Sequence, residues 1–250
     1  MSANNETGVI QPVAEIAKSL RGNNYHGLIV SDFTQCIGKS DVSAAELFDA
    51  GVDAISISGH KIGALSGIGA MIYQKSNICR FFDSLILGGP QEKGFRGGTE
   101  NLLGAISFGE ATKELASTVE GETKSRTALR ELFWSELSAN ISGLKRYGSE
   151  PLLSNTLLVG FIACNGGDLV ASLDISGVAA STGSACSSGK QGVSETVKAI
   201  EPDETFRKEV VRFSLDWNTS EDDIREAVSV ISNCVNSIRD LIESAEISNC

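Results

Sequence analysis

The sequence predicts an α/β protein, and three observations carry that prediction. Short apolar runs at 27–30, 54–57 and 68–73 alternate with helical patterns over the first hundred residues. From about Ala105 the texture changes to long helical stretches around a strand-like run at 155–163. The apolar runs end in small and polar residues, as strands feeding a ligand site would. A boundary is expected near residue 110, inside a helical connection, which divides the chain into domains 1–110 and 111–250.

Each element has a local reason. Pro12 suits the first turn of a helix with Val13, Ile16, Ala17 and Leu20 on one face. The run 27–30 stops at Ser31-Asp32 and reads as a strand. Ser43-Ala-Ala-Glu46 is a capping-box pattern that opens a short helix, and Gly51 ends it. A second strand, 54–57, stops at Ser58-Gly59-His60-Lys61, and a third, 68–73, follows a glycine-rich turn. Residues 110–141 carry Leu129, Leu132, Phe133 and Leu137 at helical spacing. In the last helix Ile224, Val228, Ile231, Val235, Ile238 and Ile242 advance by four and three alternately, with Thr219 or Ser220 as its cap.

Composition limits the function classes. The 250 residues hold 32 acidic and 21 basic side chains, a net charge of −11, which argues against a nucleic-acid or anionic-membrane surface. No apolar run approaches the roughly 18 residues of a membrane helix. The first residues lack an apolar signal region. Six scattered cysteines without a C-x-x-C pair predict thiols rather than disulfides, hence a cytoplasmic protein. With His26 and His60 as the only histidines, a multi-histidine metal site is excluded.

Two constellations carry chemistry. Asp32 and Lys61 each follow a predicted strand, and ligand sites of parallel α/β sheets lie at that edge. A lysine there can form a Schiff base with a carbonyl cofactor, and a facing aspartate can keep a pyridinium nitrogen protonated. A salt bridge, or two solvated strand ends, is the alternative. Ser58 and His60 add donors for a phosphate beside the lysine. In Ser181-Thr-Gly-Ser-Ala-Cys-Ser-Ser-Gly189, small residues surround Cys186, which predicts an exposed loop with a nucleophilic thiol; a flexible connection with an incidental cysteine is the alternative. Cys36, Cys79, Cys164 and Cys234 read as core fillers. Arg212 could grip a carboxylate with its planar fork, or serve a structural ion pair.

Taken together, the motifs resemble the cysteine desulfurases, the NifS/IscS-like members of the pyridoxal phosphate (PLP) fold-type I, class-V aminotransferase family. The resemblance rests on Asn4-Asn-Glu-Thr-Gly8, Asp32-Phe-Thr-Gln35, Ser58-Gly-His-Lys61, Arg96-Gly-Gly-Thr-Glu-Asn101, Gly183-Ser-Ala-Cys186 and Arg212-Phe-Ser-Leu215. It implies part of a large domain with a mainly parallel sheet, followed by an α+β small domain. It further implies that Lys61 holds PLP and shuttles protons. Asp32 would pair with the ring nitrogen, and Gln35 and Asn5 would contact the phenolic oxygen. Ser58 and His60 would bind the phosphate, with Thr99 reaching the phosphate of a partner subunit in a homodimer. Asn155 and Arg212 would hold the carboxylate of L-cysteine. Cys186 would take the sulfur as a persulfide for an acceptor such as an iron–sulfur scaffold, and could ligate a transferred cluster.

The family's chains are longer, and Met1-Ser-Ala reads as an internal methionine. The segments expected before it would supply a ring-stacking histidine and a further phosphate loop. Pro90 and Lys93 replace an expected glycine and arginine. A selenocysteine or cysteine lyase of the same fold, and a catalytically silent remnant or interaction module, are the competing expectations.

Overall fold

The computed structural model describes residues 1–74, 83–183 and 193–248. The chain forms two compact units: Met1–Ala3 with Ile10–Gly121, and Asn4–Val9 with Glu122–Cys250. The expected boundary at 110 and the division at 121 fall on one helix.

The first unit contains α1 (Val13–Gly22), β1 (Val30–Asp32), α2 (Ala44–Asp49), β2 (Ala54–Ser58), β3 (Gly69–Tyr73) and the first part of α3 (Leu102–Asn140). Its sheet has the order β1-β2-β3. β1 and β2 run parallel, with Asp32 opposite Ser56, because α2 supplies the crossover. β3 returns antiparallel to β2, since the link 59–68 is too short to cross over. The described part of the sheet thus holds one parallel and one antiparallel pair.

β1 starts at Val30, later than the apolar run predicts, for a reason visible in its neighbours. Asp53 is buried, accepts from Ile29 N (2.7 Å) and pairs with Arg21 Nη2 (2.5 Å). Arg21 also donates to the carbonyls of Gly27 and Gly51. These bonds fix 27–29 beside Asp53, so strand pairing begins one residue further on. Asp32 is therefore the last residue of β1 rather than the residue after it. Gly51 (φ +101°) closes α2, and a Cβ there would lie 2.6 Å from Arg21 Cγ. Ser43 Oγ caps the helix by accepting from Glu46 N at 3.0 Å. Pro12 stands at the N-cap of α1, just before the helix.

The apolar stripe of α1 is only partly used. Ala17 is buried, whereas Ile16 and Leu20 are exposed. Val30, Met71 and Ile72 of the sheet are exposed too, as are Leu102 (68%), Leu103 (74%) and Ile106 of α3. That amount of uncovered apolar surface is large for one small unit.

The second unit contains the rest of α3, β4 (Leu144–Tyr147), β5 (Thr156–Phe161), α4 (Gly166–Ile175), α5 (Glu195–Ile200), β6 (Val210–Ser214) and α6 (Glu221–Ser248). The sheet β4-β5-β6 is antiparallel throughout, and every residue of β5 is buried. Phe133 and Leu137 of α3, Leu169 and Leu173 of α4, and Ile224, Val228, Ile231 and Val235 of α6 pack on the same core as Val159, Phe161 and Phe213. Phe213 meets Phe133 and Phe161 edge to face, with ring centroids 5.2 and 6.2 Å apart. The 4-3-4 stripe of α6 is thus its buried face, although Ile242 is exposed. Ser220 is the cap: its hydroxyl accepts from Asp223 N, and the Asp223 carboxylate accepts from Ser220 N. Tyr147, Leu158, Val197 and Val210 form a smaller apolar cluster.

α3 begins at Leu102 rather than 110, with Asn101 Oδ1 accepting from Gly104 N at 3.0 Å. β4, α4 and α5 are additional to the elements expected from sequence.

Candidate active site

The candidate residues fall into two groups, one in each unit. In the first unit, β1 and β2 end side by side. Asp32 closes β1, and its Oδ1 accepts from Thr34 N (2.9 Å), which turns the chain toward Gln35. Ser58 closes β2, and residues Gly59–Ile62 form a single 3₁₀ turn carrying His60 and Lys61. Gly59 is required there: a Cβ would lie 2.9 Å from Ile68 Cγ2, 3.0 Å from Ile68 O and 3.0 Å from Phe108 Cδ2. Gly63 (φ +89°) ends the turn.

Ser58 Oγ and His60 Nδ1 are 2.8 Å apart. If Nδ1 carries the proton and Ser58 accepts, the hydroxyl keeps its own proton for an anionic oxygen. His60 is exposed, and Lys61 is half-buried. Among the described residues, neither Lys61 nor Asp32 takes part in an ion pair, so the salt-bridge alternative for this couple is not formed. A primary amine, a hydroxyl–imidazole pair and an unpaired carboxylate at adjoining strand ends fit the chemistry of a phosphorylated pyridine aldehyde.

Thr99 is exposed and follows the glycine-dense stretch 88–98. Glycines at 88 and 97 let two backbones touch: a Cβ on Gly97 would stand 2.8 Å from Gly88 Cα, and Gly97 N donates to Ile86 O.

In the second unit, Arg212 lies within β6, and its Nη1 donates to Asn5 O at 2.8 Å. Its backbone forms a two-way bridge with Ser181, with Arg212 N to Ser181 O at 2.6 Å and Ser181 N to Arg212 O at 3.1 Å. Asn155 stands one residue before β5; its carbonyl accepts from Leu215 N, and its Oδ1 accepts from Thr156 Oγ1 at 3.2 Å. Asn5, Asn155 and Arg212 thus share one neighbourhood. Asn5 sits in a tight turn, in which Asn4 Oδ1 accepts from Glu6 N and Thr7 N, and Gly8 (φ +75°) packs on Thr156. Cys186 lies outside the described residues, three positions after Gly183. Glu6, which no chemical motif of the sequence singled out, is buried in the same turn.

Cys36, Cys164 and Cys234 are buried free thiols, as core fillers should be. Burial pushes the Cys36 and Cys164 thiols up to about 11. Cys79, read in the same way, and Cys250 lie outside the described residues. No described helix is long and apolar enough to cross a membrane.

Fold and site together define a PLP fold-type I protein. The aminotransferase class-V model matches residues 1–226, and the chain belongs to that family, which is PLP-dependent. It is 35% identical over 244 residues to a cysteine desulfurase of Nostoc, and 33% identical over 240 residues to the cysteine desulfurase IscS of Dictyoglomus turgidum. Both matches take in 96% of this chain, and 58% and 59% of the relatives. A NifS-like protein structure superposes with a TM-score of 0.82 at 28% identity, over 94% of this chain and 60% of the other. A second, the NifS-like protein of Rickettsia africae, gives 0.80 at 26%, over 96% and 60%. The chain therefore spans about three fifths of the length of these relatives.

Proposed function

We propose that this chain carries the cofactor-holding and sulfur-transferring residues of a cysteine desulfurase, in the C-terminal part of a large domain (1–110) and a small domain (111–250). The observation that carries the reading is the end of the β1–β2 pair. There, among the described residues, Lys61 has no ionic partner; it follows the Ser58–His60 hydrogen bond at the end of β2, the strand paired with the one that Asp32 closes. PLP bound there supplies an electron sink for the substrate's Cα electrons. Lys61 Nζ holds the cofactor's aldehyde carbon and moves the Cα proton. Asp32 keeps the pyridine nitrogen protonated, Gln35 and Asn5 donate to the phenolic oxygen, and Ser58 and His60 bind the phosphate. Thr99, exposed on its loop, serves the phosphate of a second subunit in a homodimer. Arg212, with Asn155, holds the carboxylate of L-cysteine.

The Cys186 thiolate attacks the substrate sulfur. A sulfur–sulfur bond forms as the carbon–sulfur bond breaks, and the carbon takes a proton to give L-alanine. The persulfide then passes to an acceptor, an iron–sulfur scaffold being the class best suited, or Cys186 ligates a cluster directly. Buried free thiols support a reducing, cytoplasmic setting. The exposed apolar surface of the first unit favours a second reading, an interaction module that keeps the motifs without turnover.

The test is the visible absorption of the purified chain with PLP, beside Lys61→Ala. A band that requires Lys61 and changes on adding L-cysteine supports the desulfurase, and sulfide release with Cys186→Ala then follows. Folded protein without a Lys61-dependent band supports the silent module.

A further inference from the structure

Glu6 has a use that its motif does not announce. It is only 5% exposed, and among the described residues it has no cationic partner. Its Oε1 accepts from Thr196 Oγ1 at 3.1 Å, while Oε2 is buried without a hydrogen-bond partner among the described residues. Burying a carboxylate is unfavourable, so the fold must offset this one elsewhere. What Oε2 faces is Gly183: a Cβ there would lie 3.0 Å from Oε2 and 3.3 Å from Ser194 Cβ. Gly183 also has φ +153°, which a side chain would strain.

Gly183 and Ser194 flank residues 184–192, the stretch of sequence that includes Cys186. Ser194 is tied in turn to α5, its hydroxyl accepting from Thr196 N and Val197 N. On the other flank, Ser181 Oγ donates to Gly183 O at 3.0 Å, and Ser181 bridges Arg212 through both backbone groups. Arg212 closes the circuit by donating to the carbonyl of Asn5, the residue before Glu6. One turn thus touches both described flanks, at Gly183 and Thr196, and accepts from the Arg212 guanidinium.

We infer that Glu6 is a positioning residue: it seats Gly183 on one side and holds Thr196 on the other, fixing the two described flanks of the Cys186 stretch relative to Arg212. The inference rests on the reading of Cys186 as the sulfur-accepting thiol and of Arg212 as the substrate grip. Glycine at 183 follows from it, because the carboxylate fills the space a side chain would take.

The test uses the full chain with two readouts that need neither cofactor nor turnover. Hydrogen exchange is followed in peptides covering 181–183 and 194–197, and trypsin cleavage at Lys190 is timed. Glu6→Ala removes the acceptor of Thr196 and the seat of Gly183, and should raise both rates about tenfold. Glu6→Gln keeps an amide oxygen for Thr196 Oγ1 and should return both to within about twofold of the parent. Thr196→Val, which keeps the carboxylate, should raise exchange at 194–197 about fivefold, and it decides the matter if Glu6→Ala does not fold. Thr196→Val separates positioning from mere core filling, because it removes the hydrogen bond to Glu6 at nearly constant volume. Unchanged exchange and cleavage in Glu6→Ala, or in Thr196→Val where the first is unfolded, overturns the inference, as does failure of glutamine to rescue. Absence of a Lys61-dependent absorption band in the parent would defeat the desulfurase reading alone, since exchange still decides the anchor. With that band present, Glu6→Ala should keep it and lose Cys186-dependent sulfide release about tenfold.

Discussion

Replacing Glu201 by glutamine should weaken the second unit by about 2–3 kcal/mol at neutral pH and flatten its loss of stability in acid. Glu201 is 1% exposed, and its carboxylate accepts from Lys145 Nζ (2.6 Å), from the Tyr147 hydroxyl and from Asp203 N (3.0 Å). The bond from Lys145, then that from Tyr147, holds the carboxyl down at about 2, against an ordinary 4.5. Burial, followed by the neighbouring carboxylate, pushes the Tyr147 phenol up, so it keeps its proton to donate. The difference between about 2 and the ordinary 4.5, at about 1.36 kcal/mol per factor of ten in proton affinity, corresponds to roughly 3 kcal/mol. Lys145 is half exposed and regains water when its partner is neutral, which pulls the expected cost toward the lower end.

Because the folded carboxyl titrates below the unfolded one, its contribution is complete above pH 4.5 and is lost as pH falls toward about 2. Glu131, held at about 2 by its bonds to Arg146 and then Arg130 against the upward push of burial, shares that acid limb, so the variant removes only part of the slope. Trp134 and Trp217 are the chain's two tryptophans and both belong to the second unit, so urea unfolding followed by their fluorescence reads that unit alone. A Glu201→Gln midpoint equal to the parent's at pH 7, with the same slope between pH 4.5 and 2, would refute the reasoning.

Asn165 Oδ1 caps α4 by accepting from Gly167 N at 2.8 Å, so Asn165→Ala should cost about 1 kcal/mol in the same fluorescence assay. Asp53→Ala should leave Arg21 without its buried carboxylate and destabilise the first unit by about 3 kcal/mol. Hydrogen exchange at Ile29 and Val30 would rise, while tryptophan-reported unfolding of the second unit stays within about 0.5 kcal/mol of the parent. Cys36 and Cys164, held near 11 by burial, should resist a disulfide reagent at pH 8 until urea is added. Rapid labelling of either in the folded chain would contradict the packing described.

What the sequence made legible was mostly local chemistry. The capping box at Ser43, the stripe of α6 and the strand ending at Ser58 need only neighbours three or four residues away, and all appear where their residues predict. What escaped depends on partners far along the chain. The late start of β1 is imposed by Arg21 and Asp53 on 27–29, and no pattern inside that run encodes it. β4 reads Leu-Lys-Arg-Tyr, and its charged residues gave no strand signal. They are stable there because Lys145 meets Glu201, and Arg146 meets both oxygens of Glu131 at 2.7 Å. Glu6 was hidden inside a motif read for Asn5. An acid held among Asn4, Thr7 and Gly8 was the available signal, since small turn residues leave little to solvate it.

The distribution of charge separates the groups that hold the fold from those available for chemistry. Arg130 is buried, yet its guanidinium donates to Leu153 O, Glu131 and Glu150. Arg126 is buried against the face of Trp217, 3.8 Å from the ring centroid, with Glu122 beside it. Such groups are matched because an unmatched buried charge would cost several kcal/mol. Asp32 and Lys61 follow the opposite rule: one is exposed, the other half-buried, and neither is paired among the described residues. Both keep access to solvent, which offsets the cost of leaving a charge unmatched. Glu6 fits neither rule, being buried and half satisfied. A carboxylate in that state is tolerated where its surroundings are fixed, and here they include Gly183 and Thr196, on the two described flanks of the stretch that holds Cys186.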